Sequence, residues 1–482
     1  MSTAPAANDQ PTIAARLDRR KWVALAFIAL AQLMIALDAT IVSIALPSAQ
    51  AALGASDADR QWVVTAYTLA FGGLLLLGGQ IADFLGRKQA FMVGLAGFAV
   101  ASVIGGAAPN FGVLVAARAL QGAFAALLAP TALSLLAVSF TQPRERATAF
   151  AVYGSIAGSG AAIGMLLGGA LTQYFAWRWC LYVNLPIAGI AAAGGWAVLP
   201  ASSRRASRDL DVAGVVLVTA GLVSLVYACS AAAMSGWSSG NVTGLLAASV
   251  LLLALFALRE SRTANPLLPL RILADRNRGG AYITVGLGVA GMFGAFLFLT
   301  YYMQVVLRYT PLQTGLAFLP ITIASQGGSW LIARRLMPRL SPRALIVPAA
   351  IVAAAGMALL TQLQVNSGYL TLVLPAEILL GLGISSMMVP AFSLATRVAD
   401  PRESGVASAT VNAAQQIGAS LGIAVLNTVA AGATAAFIGP RAAALVHGFS
   451  VATAWGALVL VLAAALAAVL IVAPRPARPA LG

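Results

Sequence analysis

The chain has 482 residues, of which 60% are hydrophobic and only 9% are charged, and its mean hydropathy is +0.90. No soluble domain of this size is so apolar, so the composition is that of an integral membrane protein. The formal net charge of +15 would suggest a nucleic-acid partner in a soluble protein, and the only cysteines, Cys180 and Cys229, fall in or beside apolar runs, which leaves no disulfide framework or metal cluster to expect.

A helix needs about 20 apolar residues to cross roughly 30 Å of hydrocarbon. By that measure the sequence predicts fourteen spans, near 22–47, 61–83, 89–107, 111–138, 146–172, 178–200, 212–234, 241–259, 279–304, 313–334, 344–363, 369–396, 404–432 and 449–473. The first carries the string Leu37-Asp38-Ala39-Thr40-Ile41-Val42. It is too long for a cleavable signal, and it holds an acid. The second ends in Gly78-Gly79-Gln80-Ile81-Ala82-Asp83-Phe84-Leu85-Gly86-Arg87-Lys88. The fourth contains Arg118-Ala119-Leu120-Gln121-Gly122. In the fifth, Gly160, Gly164 and Gly168 recur every four residues, with Gly169 following; such a stripe permits close helix approach. The sixth opens on Trp177-Arg178-Trp179 and Asn184-Leu185-Pro186, and the twelfth carries Glu377 in a wholly apolar setting. A second Gly/Arg connector, Gly327 to Arg335 with Arg339 and Arg343, follows the tenth span and echoes the one after the second. His447, the only histidine, falls before the last span, where solvation is expected.

Loop charge tests the count. When connectors are taken alternately, one set holds most of the 29 basic residues, among them Arg20, Lys21, Arg87, Lys88, Arg204, Arg259, Arg335, Arg402 and Arg475. The other set holds only Arg60, Arg178, Arg308 and Arg441. An extra or missing helix would scramble this alternation. The positive-inside rule therefore predicts both termini in the cytoplasm, and the basic excess reads as topology and contact with anionic lipid rather than nucleic-acid binding.

Asp38, Arg118 and Glu377 are the ionisable residues placed well inside spans. Charge in hydrocarbon is costly and usually marks an ion or proton path. Counting about 1.5 Å per residue puts all three in the outer half of the bilayer, compatible with one shared cavity. A carboxyl near an arginine suits reversible protonation, so Asp38 is expected as a proton site or as a counter-charge for a cationic substrate, with Arg118 tuning it. Glu377 is expected as a second proton site or a selector of cations. Gln32, Asn184, Gln304, Asn412, Gln415 and Gln416 are weaker candidates for the pathway.

These strings, in this order, resemble the major facilitator superfamily and specifically its fourteen-span drug–proton antiporters. Asn265-Pro266-Leu267-Leu268, Pro311-Leu312-Gln313-Thr314-Gly315 and Gly405-Val406-Ala407-Ser408-Ala409 extend the likeness over most of the chain. The resemblance implies an all-α membrane protein of two six-helix lobes (1–200 and 279–482) with two extra helices inserted between them (201–278). It implies that Asp83, Gly86 and Arg87 form a cytoplasmic gating loop, and that Gly160, Gly164, Gly168 and Gly169 form the antiporter glycine motif. The sequence departs from the family pattern at Phe84, where a basic residue is usual, and at Met165, where proline is usual.

The expected function is proton-driven efflux of amphipathic, often cationic or aromatic, drugs or antibiotics by alternating access. The alternative is a dedicated proton-coupled transporter of one endogenous metabolite or natural product. A receptor or scaffold is disfavoured by the intramembrane charges and the lack of a sizeable soluble domain. No nucleotide loop or nucleophile constellation suggests an enzyme. The proton gradient takes the place of a cofactor, no metal is expected, and the partners are a small-molecule substrate, protons and the bilayer. A monomer in a bacterial inner membrane is expected.

Overall fold

The structure is a computed structural model that describes residues 10–472 apart from 57–58, 141, 200–210, 264–265, 267, 269, 338 and 397–403. Some side chains inside helices also lie outside the described set, that of Asp83 among them. So do the expected lobe boundary at residue 200, the arginines 204, 402 and 475, and parts of the Asn265 and Gly405 strings.

The described residues are helical almost throughout. In chain order the helices are α1 (Gln10–Leu53), α2 (Trp62–Leu85), α3 (Arg87–Gly106), α4 (Phe111–Ser139) and α5 (Pro143–Tyr174). A short α6 (Trp179–Tyr182) leads to α7 (Asn184–Val198), then α8 (Val212–Ser235), α9 (Gly240–Arg262) and a short α10 (Leu270–Ala274). The second half comprises α11 (Arg276–Tyr301), α12 (Pro311–Ala317), α13 (Leu319–Leu331), α14 (Pro342–Leu360), α15 (Leu374–Ala395), α16 (Ser404–Ala436) and α17 (Arg441–Leu470).

Among the described residues 11 helices are long and apolar enough to cross a membrane, and α2 adds a shorter apolar stretch, Trp62–Leu75. The expected span 178–200 holds two helices, α6 and α7, with a break at Val183 and Pro186 in the first turn of α7, where its missing amide hydrogen leaves no helical bond unmade. The expected span 313–334 is likewise divided. Pro320 opens α13 just after α12 ends, and residues Ile332–Leu336 widen into a π-helical turn. Gly86, between α2 and α3, has φ +88°, which a residue without Cβ adopts at little cost.

The packing distinguishes the two ends of the bundle. One buried apolar core runs from Leu37, Ile44 and Val63, toward the end carrying the α1–α2, α5–α6 and α11–α12 loops, into Tyr301, Phe318 and Phe449 of the second half, and continues through that half to Ile272 and Ile471. Ile28, Phe91, Phe98 and Leu136 of the first half form a second core, against which Ala413 of α16 packs. The core shared by the two halves thus meets the first half toward the former end, the joined end, and α16 keeps a further contact with the first half beyond it. Along one flank, α2 and α16 lie side by side, and α8 covers their seam, with Leu222, Val226 and Cys229 packed on Leu69 and Ala424.

Candidate functional site

The site is a polar cluster enclosed in the first half. Asp38 of α1 and Arg118 of α4 are both buried, and Arg118 Nη1 donates to Asp38 Oδ2 at 2.5 Å. The other carboxylate oxygen, Oδ1, accepts from Asn184 Nδ2 at 2.8 Å and from Gln121 Nε2 at 3.2 Å. Gln121 also accepts from Arg118 Nη1 at 2.8 Å and donates to Ser102 Oγ of α3 at 2.7 Å. Arg118 Nε donates to the Val63 carbonyl of α2 at 3.0 Å, and its guanidinium lies 4.4 Å from the Tyr67 ring centre. Five helices therefore converge on one ion pair.

Local sequence explains the convergence. Gly122 faces the Tyr67 carbonyl so closely that a Cβ there would collide with it. That approach of α4 to α2 sets the Val63 carbonyl and the Tyr67 ring beside Arg118, one turn away. On α5, a Cβ at Gly164 would lie 2.8 Å from the Leu37 carbonyl oxygen, and one at Gly168 would lie 2.9 Å from that of Ile41. Gly160 meets Ala36 in the same way at 2.8 Å. The glycine stripe is thus the bed on which the Asp38 segment of α1 rests, within one lobe. Gly169 alone of the four turns to the second half, where its Cβ would meet the Pro311 carbonyl at 2.6 Å.

Burying an ion pair is stabilising only when its remaining valences are satisfied. Both Asp38 oxygens have partners, whereas Asn184 Oδ1 and the Tyr67 hydroxyl, both buried, have none among the described residues. The cluster has spare hydrogen-bonding capacity beside the acid.

Glu377 does not join this cluster. It is buried at the start of α15, where its Oε2 accepts from Tyr369 Oη at 3.3 Å and its Oε1 has no partner among the described residues. The Tyr369 hydroxyl also reaches the Ala317 carbonyl at 2.6 Å. Asp38 and Glu377 are thus buried acids in different halves. Of the weaker candidates, Gln32 pairs with the Tyr153 hydroxyl at 2.5 Å, and Gln304 donates across the halves to the Ile44 carbonyl at 3.0 Å. The Phe437 and His447 rings lie 5.1 Å apart at the end of α16 and start of α17. Lys88 donates to the Trp196 and Leu199 carbonyls at the end of α7, and Arg87 opens α3.

Sequence reasoning left Arg118 without a named partner and missed Ser102 and Tyr67. Gln121 was legible as the residue one turn beyond Arg118. Ser102 and Tyr67 carry no signal, because a hydroxyl in an apolar run is common. Arg60 entered the sequence analysis only as a connector charge, and Gln50, also at the joined end, did not enter it.

The profile described as Major Facilitator Superfamily matches residues 28–423. A puromycin resistance protein of Streptomyces alboniger is 55% identical over 94% of this chain and 92% of its own length. A tetracenomycin C resistance and export protein of Streptomyces glaucescens is 34% identical over 88% of this chain and 79% of its own. A cephamycin export protein of Amycolatopsis lactamdurans is 37% identical over 85% of each. Among solved structures, a bacterial homologue of the human lysosomal transporter Spinster superposes with a TM-score of 0.67 at 16% identity, covering 94% of this chain and 97% of that one.

Proposed function

Because this chain belongs to the major facilitator superfamily, a family of transporters and not of enzymes, we propose that it exports antibiotics by proton antiport across the bacterial plasma membrane. Its membrane-spanning helices and its likeness to resistance and export proteins support the class of activity. The reading includes fourteen spans with both termini in the cytoplasm, the two-lobe division with α8 and α9 inserted, and a monomer as the working unit. In this orientation the joined end of the bundle is the outer face.

The observation that carries the proton-coupled reading is the enclosed Asp38–Arg118 pair. A proton on Asp38 removes the charge that holds Arg118, and the change is felt at once on α1, α2, α3, α4 and α7 through the hydrogen bonds described above. With the shared core holding the lobes together toward the outer end, substrate loads from the cytoplasm. The lobes then rock, and a proton from outside displaces the substrate. Glu377 is the matching acid of the second lobe and serves as a second proton or cation site. Asp83, Gly86 and Arg87 guard the inner end when it closes.

The test uses inverted membrane vesicles with an imposed proton gradient and a pH-reporting dye. Puromycin heads a panel of cationic and neutral antibiotics. Substrate-triggered proton release that disappears in Asp38→Asn supports the reading. Proton release that persists undiminished in Asp38→Asn removes Asp38 from the path. Silence with every compound overturns broad antibiotic export.

A further inference from the structure

Arg60 lies in the loop before α2, in the first half of the chain, yet its environment belongs to the second. It is 2% exposed. Its Nε donates to Asn427 Oδ1 of α16 at 3.2 Å. Its guanidinium stacks 4.0 Å from the Tyr301 ring centre of α11 and 5.8 Å from that of Phe449 on α17. Tyr301 in turn donates through its hydroxyl to Gln50 at the end of α1. One cation therefore stitches the α1–α2 corner to three helices of the other half. Any rocking that parts this end removes the Asn427, Tyr301 and Phe449 contacts together and returns the guanidinium to water.

The seam below Arg60 has the opposite character. Gln61, Thr65, Thr68 and Gly72 share one face of α2 by their spacing. A Cβ on Gly72 would lie 2.7 Å from that of Gln416 and 3.6 Å from the Ala413 carbonyl, so this face looks at α16. Ala413, Gln416, Ser420 and Asn427 share one face of α16 by the same spacing, and its two ends already touch α2 at Gly72 and at Arg60. Along this seam Gln61 Oε1, Thr65 Oγ1 and Ser420 Oγ are buried and have no hydrogen-bond partner among the described residues. A buried polar atom without a partner costs free energy that water would restore. Parting the seam supplies that water.

We propose that Arg60 is the latch of the outer gate, a positioning residue that holds the exit side shut against the unpartnered polar groups of the α2–α16 seam. The gate is balanced by two opposing contributions in adjacent turns: a multiply held cation that favours closure and dry hydroxyls that favour opening. The assignment of this end to the exit side rests on the proposed orientation, while the latch itself rests on the contacts.

The experiment is a spin-label distance measurement on the full chain in lipid nanodiscs without substrate or proton gradient. Labels at Ala52→Cys and Ile438→Cys, exposed positions on opposite halves of the joined end, report its width. The background replaces Cys180 and Cys229. Arg60→Gln is expected to raise the ratio of wide to narrow distances about tenfold, equivalent to about 1.4 kcal/mol. Arg60→Lys, which keeps a cation over the Tyr301 ring, recovers part of the narrow population. Thr65→Val with Ser420→Ala shifts the ratio the other way. Coincident distributions for Arg60→Gln and the parent overturn the latch. If Arg60→Gln does not accumulate, Tyr301→Leu against Tyr301→Phe decides, because both lose the bond to Gln50 and only the leucine removes the ring under Arg60: a wider distribution for the leucine supports the latch, and coincident distributions overturn it. No proton coupling enters this readout, so a failed efflux assay and a failed latch are separately visible.

Discussion

Gly164→Ala places a methyl group against the Asp38 segment of α1, the proposed proton site. Its Cβ would sit 2.8 Å from the Leu37 carbonyl oxygen and 3.2 Å from Leu37 Cα, with the Thr40 hydroxyl nearer still. The hydroxyl can rotate away, at the loss of its bonds to the Ala36 and Leu37 carbonyls. The backbone cannot. Ordinary contact begins near 3.5 Å, so α1 must retreat by about half an ångström. Overpacking of this kind costs about 1–3 kcal/mol. Leu37 directly precedes Asp38, so the retreat displaces Asp38 relative to Arg118, which it meets at 2.5 Å. Misplacement of a reacting group by about 1 Å can cost roughly a hundredfold in rate, which puts half that displacement near tenfold. The assay is substrate-triggered proton release in inverted vesicles, with thermal stability followed by size exclusion. Gly189→Ala is the control, because its Cβ meets nothing within 4 Å. A tenfold slower release in Gly164→Ala, partly restored by Thr40→Ala, is expected. Wild-type rates in Gly164→Ala, or an equal loss in Gly189→Ala, would refute the link between the glycine stripe and the acid.

Two further substitutions probe the buried charges. Arg118→Lys keeps the cation but loses the planar fork that serves Asp38, Gln121 and the Val63 carbonyl at once; coupled efflux should fall about tenfold or more if one such bond, worth about 1.5–3 kcal/mol, is lost, with normal protein yield on a membrane blot. In Glu377→Gln the side-chain oxygen still accepts from Tyr369. The variant should accumulate normally and lose efflux of cationic compounds relative to neutral ones of similar size, a selectivity read from the same vesicle panel; equal effects on both classes count against a role for the charge.

The sequence was most legible where chemistry is rare. An acid and an arginine inside apolar runs stand out, and Asp38 and Arg118 do meet. Which residues join them was only partly legible: Asn184 was a weak pathway candidate and Ser102 was missed. Asn184 and Ser102 come from α7 and α3, and no periodicity ties them to Asp38. Glu377 stood out for the same reason as Asp38, yet it belongs to the other half and finds only a tyrosine. The four-residue glycine spacing announced close packing without naming the neighbour, and the structure divides the motif between α1 and the opposite lobe. Against fourteen expected spans, eleven described helices are long and apolar enough to cross a membrane. Breaks inside the sixth and tenth predicted spans escaped notice because hydropathy ignores the missing amide hydrogen of Pro186 and Pro320. Arg60 escaped because a charge beside a span end is usually solvated; its burial depends on helices more than 200 residues away in sequence, as the separations to Tyr301 and Asn427 make plain.

The helix α8 lies over the α2–α16 seam and is tied to each side by one hydroxyl. Thr219 donates to the Gly73 carbonyl of α2 at 3.2 Å, and Thr428 of α16 donates to the Cys229 carbonyl at 2.9 Å. Under the proposed rocking of the two halves, α8 could not keep both tethers at full strength; it would ride with one side and slide over the other. Acyl chains entering a widening crack would meet this helix first. A gasket of this kind would let the halves move without letting the bilayer in.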